Sequence, residues 1–239
     1  MRIRAFFLLA VSAAPAFAQS APGAAPSRDP ILRTGDAAIF AAAVAGSALL
    51  VRYDVGITAW KGVPAFQNST RVRRTLDATA FLGGPGSFAV DAAIWGVGRI
   101  ANNRDRWTDG ETALEAAALS SAVTFLLKGI AGRARPTLDS TRADNFKFGR
   151  GFWAGDDYAS FPSGHTTAAF AFATSITTRL AQRRSSSAIW AAPVLFSIAT
   201  VTAVGRLYNH KHWMSDCLTG AAIGTIGGLV AARWHERHP

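Results

Sequence analysis

The sequence predicts an all-α helical bundle. Strand-like alternation is scarce along the 239 residues, whereas apolar, alanine-rich stretches recur between charged or Gly/Pro-bearing connections. Hydrophobic residues make up 49% of the chain and charged residues 17%, which suits one domain with a sizeable core and leaves little room for two.

The elements follow in order. Residues 1–18 read as a secretory signal. Arg2 and Arg4 precede the apolar run Ala5 to Ala14, and Ala16-Phe17-Ala18 matches the small-x-small cleavage pattern before Gln19. The run is shorter than the roughly 20 apolar residues of a span, which favours a cleaved signal over an anchor. Residues 19–35 are rich in Pro, Ala, Ser and Gly and read as a flexible lead-in to a helical domain over 36–239. Asp36 is placed to cap a helix to about Val51. A loop through Gly62 and Pro64 then leads to Arg71, Arg73 and Arg74. Leu76 to Ile100 is apolar but interrupted at Gly83-Gly84-Pro85-Gly86, and so predicts two helices. Thr108 or Asp109 is placed to cap a helix over 111–127, with Thr108 and Glu111 at capping-box spacing. Pro136 biases Arg135 away from helical geometry, and 137–161 is expected to be a long loop. Further helices are predicted over 163–181, 188–204 and 210–232, before a charged tail.

The net charge is +10, yet Lys and Arg are scattered through the connections. No basic block typical of a nucleic-acid arm is present, so no nucleic-acid partner is expected; phosphates or anionic lipid headgroups suit such a surface better. The single cysteine, Cys217, precludes an internal disulfide. Ser185 to Gly205 is uncharged for 21 residues and is the best membrane-span candidate; the other apolar runs are marginal. A periplasmic helical domain and a partly embedded one both remain open. A cleaved signal followed by three crossings before Lys128 would leave Lys128 in the cytoplasm.

Three short clusters carry the chemistry. The first is Lys128-Gly-Ile-Ala-Gly-Arg-Ala-Arg135-Pro136, whose Lys128 and Arg135 are placed to converge on one phosphate, Arg135 offering a bidentate fork. The second is Pro162-Ser163-Gly164-His165. Ser163 is a natural N-cap, Gly164 allows close backbone approach, and the first helical turn with its dipole favours an anion beside His165. The third is Arg206, His212 and Asp216. A helix would set His212 and Asp216 one turn apart on one face, where Asp216 fixes the imidazole tautomer and leaves the other nitrogen free to attack. Taken singly, each cluster also reads as a structural feature: a basic helix end, a capped helix, a surface His–Asp pair. The set needs no metal ligand and no cofactor.

Together and in order, K-x6-RP, PSGH and R-x5-H-x3-D resemble the type 2 phosphatidic acid phosphatase and vanadium haloperoxidase superfamily over residues 128–216. The resemblance implies an all-α acid-phosphatase/haloperoxidase-like bundle. It implies a phosphate cradle from Lys128, Arg135, Ser163, Gly164 and Arg206, His165 as acid, His212 as phosphohistidine-forming nucleophile and Asp216 as its orienter. Gly205 departs from the serine often found there, which removes one hydroxyl contact. The expected activity is metal-independent hydrolysis of phosphomonoesters, with a lipid phosphate as the favoured substrate. The enzyme is expected to be exported, periplasmic or membrane-associated, with its site on the periplasmic side. A soluble broad-specificity acid phosphatase is the alternative, and a vanadate-dependent haloperoxidase a more distant one. The loop aromatics Phe146, Phe148, Phe152, Trp153, Tyr158 and Phe161 suit either a substrate wall or a pinned loop. His210 reads as a rim residue, and His235 and His238 as solvated.

Overall fold

The computed structural model describes residues 30–59 and 69–238; the expected signal segment and most of the lead-in lie outside them. Among the described residues the architecture is helical: α1 (Thr34–Ala59), α2 (Thr70–Leu82), α3 (Pro85–Ile100), α4 (Arg104–Ala131), α5 (Gly164–Gln182), α6 (Ala188–Tyr208) and α7 (Met214–Arg237). An isolated bridge between Arg133 and Phe146 is the only β pairing there.

The break at Gly83-Gly84 falls where the sequence places it, with Pro85 opening α3. Other boundaries differ from expectation. Helix α1 continues to Ala59, because Asp54 and Thr58 face inward and keep its polar stripe buried. Helix α4 starts before the proposed capping box: the Asn103 side chain accepts from Arg106 N at 3.0 Å. Thr108 instead donates to Arg104 O, and Asp109 binds Arg183 at 2.5 Å across to the end of α5. Helix α7 begins at Met214, so His212 precedes it and does not share its face with Asp216.

The interior is small and polar, and the large apolar side chains point outward. Ala116, Ala171 and Ala231 form one core cluster, and buried threonines such as Thr112, Thr167 and Thr174 surround it. Leu49, Phe125, Ile189 and Trp190 are all more than 60% exposed. Gly220, Gly224 and Gly228 recur every fourth residue on α7 and admit α5 at close range. A Cβ at Gly220 would lie 2.6 Å from Ser163 O, and one at Gly228 would lie 2.7 Å from Thr174 Cβ. This approach lets Ser163 N donate to Asp216 O at 3.0 Å, which locks the second and third sequence clusters together.

Helix directions alternate. Asp36 at the start of α1 binds Arg233 near the end of α7, whereas Asp54 near the end of α1 meets Ser215 at the start of α7. Helix α3 starts against His165 and ends with Gly98 against Trp107 at the start of α4. The last turns of α1, α4 and α6 and the first turns of α5 and α7 therefore gather at one end of the bundle, with all three clusters.

Candidate active site

Local chain geometry sets the site. Helix α4 ends at Gly132, whose φ of 53° lies in the left-handed region and whose added Cβ would strike Lys147 O. The chain then turns into an extended segment, and alternate residues Arg133 and Arg135 both reach the start of α7. Arg135 thus arrives through this turn and not along a helix, in keeping with its place before Pro136.

His212 is almost completely buried, and Asp216 completely. His212 Nδ1 lies 2.7 Å from the Ser160 carbonyl, which only accepts, so Nδ1 carries the proton and Nε2 keeps its lone pair. Nε2 faces Arg135 Nη1 at 3.5 Å. Asp216 Oδ2 is 3.6 Å from Nδ1, too long for a hydrogen bond, and acts on the ring as a nearby charge. The carboxylate is engaged elsewhere: Oδ2 accepts from Ser160 Oγ at 2.5 Å and Trp213 N at 2.9 Å, and Oδ1 accepts from Arg133 Nη1 at 2.5 Å. Burial pushes the His212 imidazole down to about 3, aided by Lys128 and Arg135 and only partly opposed by Asp216. The ring is neutral at ordinary pH, as a nucleophile must be.

The remaining predicted residues surround it. Lys128 lies against the first turn of α5, where a Cβ at Gly164 would sit 3.8 Å from Lys128 Cε, and its Nζ donates to Ala159 O at 2.5 Å. Ser163 is the N-cap residue of α5, but its hydroxyl accepts from Thr166 Oγ1 at 2.9 Å instead of capping the backbone. The opening N–H groups of α5 thus have no intrahelical acceptor and form a donor cluster at the positive end of its dipole. The buried Arg206 Nε has no protein acceptor. His165 is lowered to about 4 by burial and by Arg206, Lys128 and Arg135, with Asp156 opposing. Gly84 packs against its ring, where a Cβ would lie 2.7 Å from His165 Nε2, and Gly83 lies against the His165 carbonyl and Thr202. All eight predicted residues therefore lie at one end of the bundle, around His212 and the opening of α5.

Sequence reasoning missed Ser160, Asp156, Arg133 and Asp54. Asp156, on a short 3-10 turn of the loop, binds Arg135 Nη2 at 2.6 Å through its carboxylate and Arg135 Nε at 2.7 Å through its carbonyl. Arg133 was legible only as the alternate neighbour of Arg135. The long loop is partly pinned and partly free: Phe146 packs edge-on against Phe161, whereas Phe148 and Trp153 are 87% and 88% exposed. His210 adopts a positive φ of 51° in the connection before α7. His235 is not solvated as expected: it is buried and meets Glu115 at 2.9 Å. Among the described residues no group of three or more His, Cys, Asp or Glu side chains is gathered as a metal site.

A lipid A 1-phosphatase of Porphyromonas gingivalis is 37% identical over 86 residues, which are 36% of this chain and only 18% of that relative. The fold is similar to a transmembrane PAP2-type phosphatidylglycerolphosphate phosphatase from Bacillus subtilis. That match has a TM-score of 0.65 and 18% identity, and covers 85% of this chain and 97% of the other. Aquifex aeolicus LpxE superposes with a TM-score of 0.50 and 22% identity, over 69% of this chain and 87% of its own. The family model described as the PAP2 superfamily matches residues 112–239, more than half of the chain and a range within which the three clusters fall. The chain belongs to the PAP2 superfamily.

Proposed function

We propose that the protein is a membrane-embedded, metal-independent phosphatase that hydrolyses lipid phosphomonoesters through a phosphohistidine on His212. The observation that carries the reading is the buried neutral His212, with its Nε2 lone pair facing Arg135 and its Nδ1 proton held by Ser160. Lys128, Arg135, Arg206 and the opening amides of α5 neutralise the phosphoryl oxygens. His212 Nε2 attacks phosphorus in line, the ester P–O bond breaks, and His165 gives its proton to the departing alkoxide. His165 then removes a proton from water, which attacks phosphorus and releases His212 with inorganic phosphate.

The inside-out distribution of side chains supports a lipid setting. Helices α1, α4, α6 and α7 are long and apolar enough to cross a membrane, yet only 17% of the most apolar window is buried in α1 and in α6. Helix α3 returns the chain between α1 and α4, so residue 34 lies at the end opposite the site. We place the site on the periplasmic face, which puts Arg99, Arg104, Arg106, Arg179, Arg183 and Arg184 at the cytoplasmic end. The start of α1 is then on the cytoplasmic side.

The test is phosphate release from a panel of soluble and lipid phosphomonoesters, with and without a chelator, using His212→Ala as control. Release from lipid substrates, unchanged by chelator and absent from the variant, is expected. No release from any substrate would overturn the reading. Equal turnover of small soluble esters, with full extraction of the enzyme in the absence of detergent, would favour the soluble acid phosphatase instead.

The two imidazoles also set a pH dependence. Turnover needs His212 neutral and His165 protonated. In the free enzyme His212 loses its proton above about 3 and His165 above about 4, so kcat/KM should decline on the alkaline side from low pH. A bound phosphate ester brings negative charge beside Lys128, Arg135 and Arg206 and raises His165. The alkaline limb of kcat is therefore expected at higher pH than that of kcat/KM. Coincident limbs in a full pH–rate series would contradict the assignment of His165 as acid.

A further inference from the structure

Beneath the proposed nucleophile lies a closed charge network that joins the motif residue Asp216 to two residues outside the predicted site, Arg133 and Asp54. Arg133 is fully buried and uses all five of its N–H donors. Nε and Nη2 donate to Ala143 O at 2.9 and 2.6 Å, Nη2 also to Asp54 Oδ2 at 2.9 Å, and Nη1 to Ser215 Oγ at 2.7 Å and Asp216 Oδ1 at 2.5 Å. The rings of Phe146 and Trp213 lie 4.9 and 5.5 Å from its guanidinium carbon. Asp54, also fully buried, comes from α1, outside the segment that the family model matches. Its Oδ1 accepts from Ser215 N at 3.1 Å, and its Oδ2 also accepts from the Ser215 hydroxyl. Two carboxylates thus share one guanidinium, and the group carries one uncompensated negative charge next to His212.

We propose that Arg133 and Asp54 are positioning residues for the reaction, acting through Asp216 on His212. This inference rests on the proposed role of His212. Asp54 draws part of the guanidinium away from Asp216, so that Asp216 keeps its negative potential towards the imidazole while Arg133 fixes its orientation. As Nε2 bonds to phosphorus, positive charge grows on the ring, and the net negative network stabilises it in the transition state more than in the ground state. Without the Asp54 charge the network is neutral, and Arg133 spends its charge on Asp216 alone. The phosphate cradle draws on Lys128, Arg135, Arg206 and the amides of α5, none of which bonds to Asp54, so substrate capture should be spared.

The experiment compares Asp54→Asn, Ser215→Ala and His212→Ala with the wild-type full chain in detergent micelles. It reads kcat, KM, competitive inhibition by inorganic phosphate, which stays tetrahedral and reports ground-state binding, and melting temperature. For Asp54→Asn, kcat is expected to fall roughly 10- to 100-fold, as for the outer partners that orient metal-bound histidines, with KM and the phosphate inhibition constant within about twofold of wild type. Ser215→Ala, which keeps both charges but removes their bridge, should show a smaller fall in kcat with the same pattern. It decides alone if Asp54→Asn does not fold. Wild-type kcat in the folded variants would overturn the inference, as would a phosphate inhibition constant that rises as much as kcat falls. His212→Ala separates the two claims. If it retains turnover, the site assignment itself fails; if it is inactive while Asp54→Asn and Ser215→Ala are normal, only the role of the network fails.

Discussion

Replacing His212 with alanine is expected to lower turnover by at least about 10⁴-fold, because the variant has no nucleophile and neighbouring groups cannot substitute for it. His165 is the nearest other imidazole, but it is needed as the proton donor. Lys128 already donates its ammonium to Ala159 O at 2.5 Å, and Cys217 is buried on α7 with its thiol turned towards Ala203 O. The cradle should survive the change. Lys128, Arg135, Arg206 and the first turn of α5 do not depend on the imidazole, so inorganic phosphate should still bind within about tenfold of wild type. The buried ring leaves a cavity and frees the Ser160 carbonyl, at a cost of about 1–3 kcal/mol in stability, which a melting curve would report. Turnover above about 1% of wild type, in a variant that still binds inorganic phosphate, would contradict the assignment.

His165→Ala is expected to behave differently with different leaving groups. An alkoxide from a lipid alcohol is a strong base and needs a proton as the P–O bond breaks, so this substrate class should lose about 10²- to 10⁴-fold in kcat. A nitrophenolate leaves without one, so the first step should remain fast with an aryl phosphate. The second step still needs His165 to take a proton from water. The variant should therefore release one equivalent of nitrophenol per site in a rapid burst and then turn over slowly. Stopped-flow absorbance at 400 nm, roughly the nitrophenolate maximum, would record it. Equal losses on alkyl and aryl substrates with no burst would show that His165 serves only to bind phosphate.

The parts of the molecule that the sequence made legible are those whose chemistry is local. Proline and glycine mark the break at 83–86 and the segment end at Pro136, and the order of the three clusters points to their joint use. The interior positions were not legible. Helices α5 and α7 meet over glycine, alanine and threonine, so no stripe of large apolar residues betrays the packed face, and only Gly220-x3-Gly224-x3-Gly228 signals it. Asp54 lies 162 positions before Asp216 in the sequence, on a helix whose other features are generic. A lone acid in an apolar helix needs a buried cation, but nothing in the sequence says that this cation is Arg133. The orienting contact of His212 was also out of reach, because the Ser160 carbonyl is a backbone atom of a loop and leaves no trace in residue type.

The central claim is that His212 Nε2 forms a covalent bond to phosphorus. The direct measurement is rapid mixing with a lipid phosphomonoester and quenching in denaturing alkali, in which phosphohistidine survives, followed by digestion and tandem mass spectrometry. The account predicts a mass increase of one phosphoryl group on the peptide that contains His212, localised to that residue. The signal should be larger in His165→Ala with an aryl substrate and absent from His212→Ala. Phosphate found on another residue, or steady turnover with no modified peptide in the His165→Ala burst, would contradict it.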